Sequence, residues 1–119
     1  MEIIDIESIA ATVGGSARFE GDGHGSSVSF FVVRNQPGAG ADKHRHPYDE
    51  TFVILDGDIE TIIDGELTML GPGTIAVVPA RAWHEFKNRS DHVSLMVNIH
   101  PVPRMIQENW ADLPADRRS

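Results

Sequence analysis

An all-β fold, a sandwich or a barrel, is what this 119-residue sequence predicts. Two observations carry the expectation. Short runs rich in β-branched and aromatic residues recur about every ten residues, roughly eight of them in all. Between them stand turn-forming groups, above all Asp56-Gly57, Asp64-Gly65 and Gly71-Pro72-Gly73.

Taken in order, residues 1–25 are weakly patterned. Ile3, Ile4, Ile6 and Ile9 can anchor a strand or one helical turn, and Gly14, Gly15, Gly21, Gly23 and Gly25 mark loops. Ser27 to Arg34 reads as a strand, and Asn35 to Asp42 as a loop. From Glu50 the pattern is a meander, with strands at Thr51–Leu55, Asp58–Ile63 and Glu66–Leu70. The two Asp-Gly pairs between them suit two-residue hairpins, because both central residues of such a turn need positive φ. Further strands are expected at Thr74–Val78, His84–Asn88 and His92–His100, with a turn at Pro79–Ala82. The tail from Pro103 to Trp110 is expected to form a short helix.

Length and composition bound the function. A chain of this size is expected to be one domain over residues 1–119, able to bury a core without covalent staples. It has no cysteine, which removes disulfides, thiolate nucleophiles and cysteine-type metal sites. The formal net charge of −8 disfavours nucleic acid, whose phosphates need a basic footprint, and anionic membrane surfaces. The acidic N-terminus lacks the basic and apolar regions of a signal peptide, and no apolar run approaches the ~20 residues that span a bilayer. A cytoplasmic location is the expectation.

The chemistry concentrates in two segments. In the first, His44, His46 and Glu50 lie in His-x-His-x3-Glu spacing beside an apolar, β-prone run. Side chains alternate faces along a strand. If one strand runs through this segment, His44, His46, Glu50, Phe52 and Ile54 point the same way, a polar mouth above an apolar floor. In the second segment His84 follows a Pro-containing turn and shares a face with Phe86 and Asn88. Three imidazoles and a carboxylate are a common ligand set for a first-row divalent metal. A lone His is more often an ordinary surface or core residue, and the competing reading is a solvated polar strand end that holds no metal.

These segments resemble the cupins, specifically the short kind with one conserved β-barrel. The first cupin motif, G-x5-H-x-H-x3,4-E-x6-G, is matched by Gly38, His44, His46, Glu50 and Gly57. The second, G-x5-P-x-G-x2-H-x3-N, is matched by Gly73, Pro79, His84 and Asn88. The one departure is Arg81, where the family usually has Gly. Gly adopts positive φ freely and Arg does not, so the backbone of this turn is left open, and a guanidinium stands near the rim. The motifs run from Gly38 to Asn88, and the strand pattern extends the likeness over about residues 27–100.

The resemblance implies a double-stranded β-helix, or jelly-roll, barrel with His44, His46, Glu50 and His84 as metal ligands and two coordination positions open. The metal would be Fe, Mn, Ni, Co or Zn, which ligand type alone does not separate. It also implies a homodimer, and outward apolar residues such as Val53 and Leu55 are compatible with one. The leading functional expectation is a metal-dependent enzyme acting on a small organic molecule by dioxygenase-type oxidation, with Glu50 both ligand and base. Metal-dependent isomerase, lyase or cyclase chemistry is the alternative, and a non-catalytic small-molecule-binding barrel is the third.

Other residues are weighed against plainer roles. Tyr48 can donate a hydrogen bond into the pocket or pack at its rim. His100, closing the last strand, and Arg104 can line the mouth, binding an anionic substrate or moving a proton. His24 and His92 are expected in solvated loops. Trp83 has the opposite parity to His84 and belongs outside the barrel, while Met105, Ile106 and Trp110 are expected to cover it.

Overall fold

A computed structural model describes residues 1–118 and shows two five-stranded antiparallel sheets. The first contains β1 (Ala17–Phe19), β2 (Ser29–Asn35), β4 (Glu50–Asp56), β7 (Ile75–Val78) and β9 (Ser94–His100), in the order β1-β2-β9-β4-β7. The second contains β3 (Gly40–Arg45), β5 (Ile59–Ile63), β6 (Glu66–Leu70), β8 (His84–Asn88) and β10 (Glu108–Asn109), in the order β10-β3-β8-β5-β6. This is the jelly-roll barrel the sequence led us to expect.

Alternation builds the interior. In β4, Glu50, Phe52 and Ile54 are buried while Leu55 and Asp56 are exposed; in β8, His84, Phe86 and Asn88 are buried. In β9, Ser94, Met96, Asn98 and His100 all face inward. Phe52, Ile54, Ile59 and Met96 have no exposed surface, and each such side chain contributes about 1.5–3 kcal/mol by leaving water. Phe52 meets Phe86 edge-on, ring centroids 5.5 Å apart, and its ring lies 6.1 Å from that of His84. An apolar floor therefore supports a polar layer above it.

At Asp64-Gly65 the turn is the hairpin expected: Ile63 pairs with Glu66, and the two loop residues have φ of 48° and 81°. Asp56-Gly57 is not a hairpin. β4 and β5 lie in different sheets, so this turn carries the chain across the barrel. Local turn chemistry marks where the chain bends, and pairing is decided by which apolar faces meet across the core.

Three further expectations change. The segment from Asn35 to Asp42, read as loop, already enters β3 at Gly40, where a side chain could not fit: an added Cβ would lie 1.8 Å from the Phe86 carbonyl oxygen. The last long strand begins at Ser94 rather than His92. The short helix expected over Pro103–Trp110 takes another form: bends at Pro103 and Arg104, the edge strand β10, then single 3-10 turns at Trp110–Asp112 and Ala115–Arg117. The isoleucines of the N-terminus supply one helical turn, α1 (Ile6–Ile9), N-capped by the Asp5 side chain. No helix among the described residues is long and apolar enough to cross a membrane.

Candidate metal centre

The four motif residues do converge, but not along one strand. His44 is on β3, His46 lies just beyond it, and Glu50 opens β4 in the opposite sheet. Pro47 and Tyr48 therefore turn the chain from one sheet to the other. His84 stands directly across from His44 in the β3–β8 ladder, with ring centroids 4.2 Å apart. Parity along one strand fails as an argument here for a second reason. A register shift between Ala41 and His44 breaks the alternation of β3, a device that re-aims side chains near functional sites.

One ligand atom from each of His44, His46, Glu50 and His84 lies within 4.8 Å of every other, and all four residues are buried. Each imidazole is oriented through its other nitrogen. His44 Nδ1 donates to the Asp42 carbonyl at 2.6 Å, His46 Nδ1 to the Ile106 carbonyl at 2.7 Å, and His84 Nδ1 to the Ala82 carbonyl at 2.8 Å. Carbonyls only accept, so each ring carries a proton on Nδ1 and turns its Nε2 inward, the orientation that metal-binding imidazoles adopt. Burial, reinforced by the neighbouring His84, pushes His44 down to about 4, so it is neutral at pH 7.

Glu50 supplies the negative charge. Burial alone would raise its pKa, but His100, His46 and His84 around the carboxylate outweigh it and hold the group well below the usual carboxylate range. Oε1 lies 3.2 Å from His46 Nε2 and 3.0 Å from His84 Nε2, while Oε2 faces His100 Nε2 at 3.0 Å. His46 Nε2 is buried with no hydrogen-bond partner. A buried, unpartnered nitrogen beside two other imidazoles and a carboxylate is what a cation would satisfy. The cluster fits a divalent metal.

Arg81 keeps the turn before β8 in the left-handed region with φ 66°. Its backbone N–H donates to the His46 carbonyl at 2.8 Å, and the Ala82 N–H to Pro79 at 3.1 Å. The departure from Gly thus leaves the turn's shape intact, and its side chain is exposed at the rim. Asn88, the last residue of the second motif, is structural. Its amide donates to the Asn35 and His92 carbonyls at 3.0 and 2.7 Å, and its oxygen accepts from the Ser90 N–H at 3.0 Å.

His100 is fully buried rather than at an exposed strand end. Its Nδ1 meets the Tyr48 hydroxyl at 2.6 Å, so Tyr48 is drawn inward and is more than a rim residue. Arg104 does not line the mouth. It points outward and pairs with Asp22 at 2.5 Å. His24 is partly exposed, held by Glu2 at 2.7 Å and packed on Phe19, and His92 is exposed between Asp56 and Asp91. Trp83 sits outside the barrel as expected, edge-on to Trp110, with Arg45 over its ring. Ile106 is exposed, yet its backbone reaches the site. A cavity of about 510 Å³ opens onto the cluster. Asn98, which the sequence reading did not single out, lines it; shared parity with His100 on β9 was the available clue.

The cupin domain family matches residues 31–100. Among curated proteins, 63 residues are 35% identical to a Streptomyces cyaneus protein named polyketide synthase CurC, covering 52% of this chain and 41% of that one. Over 68 residues the chain is 39% identical to gentisate 1,2-dioxygenase 1 of Aquipseudomonas alcaligenes, covering 56% of this chain and 20% of that one. The chain thus spans less than half the length of these relatives. Among solved structures, the oxalate decarboxylase of Lactobacillus farciminis superposes with a TM-score of 0.75 at 18% identity, over 85% of this chain and 33% of that one. With both motifs in place, their three His and one Glu converging in a jelly-roll and the family matched over residues 31–100, this chain belongs to the cupins.

Proposed function

We propose that the protein is a metal-dependent enzyme that oxidises a small organic molecule with dioxygen. The observation that carries the reading is the cluster itself: three imidazoles, each locked by a backbone carbonyl, and one ionised carboxylate at the wall of a cavity. His44, His46 and His84 would hold the metal through Nε2 and Glu50 through Oε1. The metal, Fe, Mn, Ni, Co or Zn, would supply redox or Lewis-acid chemistry to a molecule bound beside it. The likeness to a protein named as a dioxygenase supports oxidation over the other classes.

The chain's own residues do the rest. Phe31, Val33 and Phe86 give the cavity apolar walls that exclude water. The Glu50 carboxylate, held ionised, would be the one anionic ligand of the set and offset part of a divalent charge. Tyr48 holds His100 in place through its hydroxyl, and His100 stands on the open side of Glu50. Elemental mass spectrometry on tag-free protein, followed by oxygen-electrode assays over hydroxylated aromatic and aliphatic compounds, tests the reading. Turnover without oxygen uptake would replace oxidation by isomerase, lyase or cyclase chemistry. Absence of metal after reconstitution would leave a binding barrel.

The same barrel is proposed to pair as a homodimer. Val97, Val53 and Ile75 stand in register across the outer face of the first sheet, and Ile75 and Val77 are 68% and 61% exposed. An apolar row of this kind favours a covering partner. Light scattering should give twice the chain mass, and Ile75→Glu should halve it.

A further inference from the structure

The C-terminal segment reaches the site without being packed into the protein. No residue from Pro103 to Arg118 is buried, and its strand pairing is the two-residue β10, Glu108 with Arg45 and Asn109 with His44. Segments with few buried apolar contacts and solvent-exposed hydrogen bonds open locally at low cost. Yet Gln107, Asn109, Ala111 and Asp112 line the main cavity, and the Ile106 carbonyl lies 2.7 Å from His46 Nδ1.

The same segment divides two hollows. Ile106, Gln107 and Glu108 border a second cavity of about 360 Å³ with Arg45, Arg81 and His46. His46 and Gln107 line both cavities, so this stretch is the partition between them. Moving it outward would join the two beside His46 and widen the way to the candidate metal centre.

Its two ends are held differently. At the near end, contacts tie it to the loop after β1. The Asp22 N–H donates to the Pro103 carbonyl at 2.8 Å, the Met105 N–H donates to Glu20 at 2.9 Å, and Arg104 pairs with Asp22. At the far end the contacts are between side chains on the outer surface. Trp110 is half-buried, with Lys43 Nζ 3.7 Å from its ring centroid and Trp83 edge-on at 5.1 Å. Arg45 donates to Glu108 Oε1 at 3.0 and 2.6 Å, and its guanidinium lies 4.3 Å over Trp83. Such surface contacts are individually weak and can break without disturbing the core.

We propose that Ile106–Asp112 is a hinged strap over the cavity, fastened by Trp110, and that its opening widens the mouth and frees His46 together. Trp110 is then a positioning residue that acts on His46 through the Ile106 carbonyl. The link to His46 rests on the metal-centre reading; the opening of the strap does not.

Amide hydrogen exchange on the metal-free protein tests the opening. The Ile106 N–H donates to the Tyr48 hydroxyl at 3.2 Å. Trp110→Ala should speed its exchange about tenfold, the effect of losing a cation–π contact and an aromatic pair. Amides of the central strand β9 should be unchanged, since they exchange by global unfolding. Glu108→Lys sets like charges together at Arg45 and should speed the Ile106 amide about threefold. Trp110→Phe keeps a ring under Lys43 and should stay within about twofold of wild type. In protein loaded with Co(II), release of the metal to excess EDTA, followed by visible absorption, should rise in the same order. Equal acceleration of the Ile106 and β9 amides in Trp110→Ala would leave Trp110 a global stabilising role and overturn the inference. An Ile106 amide unprotected in wild type, or unchanged in Trp110→Ala, would mean that nothing is fastened there and would overturn it too. Co(II) release unchanged in a Trp110→Ala protein whose Ile106 amide exchanges faster would cut the link to His46. If the wild-type protein takes up no Co(II), the metal reading fails by itself, and the exchange rates still decide whether the strap opens.

Discussion

Arg81→Gly should stabilise the protein. Arg81 holds φ 66° in the turn that presents His84. For a residue with a Cβ, that region costs about 1–2 kcal/mol. Glycine removes this strain but adds about 0.5–1 kcal/mol of unfolded-chain entropy. The net gain is roughly 0.5–1 kcal/mol, or about 2–4 °C in Tm for a chain of this length. The bonds that shape the turn are made by backbone atoms, Arg81 N–H to the His46 carbonyl at 2.8 Å and Ala82 N–H to Pro79 at 3.1 Å. Metal content should therefore be unchanged. Calorimetric melts of wild type, Arg81→Gly and Arg81→Ala separate backbone from side chain, because alanine keeps the strain and should gain nothing. A fall in Tm for the glycine variant, or an equal rise for alanine, would refute the strain argument and assign the guanidinium a stabilising or destabilising role of its own.

Other outcomes follow from the same geometry. Removing one ligand in His84→Ala should abolish the thermal gain on adding metal, which in wild type reaches about 2.7 kcal/mol at a metal concentration 100-fold above Kd; an undiminished gain would contradict the four-ligand centre. Gly40→Ala forces a Cβ to within 1.8 Å of the Phe86 carbonyl oxygen and must push β3 off β8. A loss of about 2 kcal/mol or more is expected, with reduced metal content as His44 leaves His84, and an unchanged melt would show that the two strands are not so close. His92 is raised to about 8 by hydrogen bonds to Asp91 and Asp56. Its folded pKa lies above the unfolded value of 6.5, so its contribution to stability is complete below pH 6.5 and lost as pH rises through 8. An NMR titration should show that midpoint, and Asp91→Asn or Asp56→Asn should lower it. For His44 the sign reverses: its folded pKa of about 4 lies below 6.5, so the metal-free protein should weaken between pH 6.5 and 4 as the unfolded chain takes up the proton first. A melting temperature constant over that range would count against the buried neutral ring.

Much of the site was legible because it is written in short-range pattern. The spacing of His44, His46 and Glu50, the turn before His84, and the parity of His84 with Phe86 all lie within a few residues of one another. So does Asp64-Gly65, whose two positive φ values belong to the dipeptide itself. Other features depend on partners far away in the chain. Which sheet receives each strand is decided by packing across the core, so Asp56-Gly57, chemically similar to Asp64-Gly65, became a crossover. The orientation of His46 depends on the carbonyl of Ile106, sixty residues on, and a carbonyl has no residue-type signature.

The sequence by itself determined an all-β chain, the positions of most strands and the side chains of the candidate metal site, because alternation and turn propensity act between neighbours. Only the tertiary structure decided that Glu50 comes from the sheet opposite His44 and His84, that Arg104 leaves the mouth for Asp22, and that His100 is buried between Tyr48 and Glu50 beside the candidate metal centre. Whether a buried polar atom finds a partner is a property of everything packed around it, and that exists only once distant segments have met.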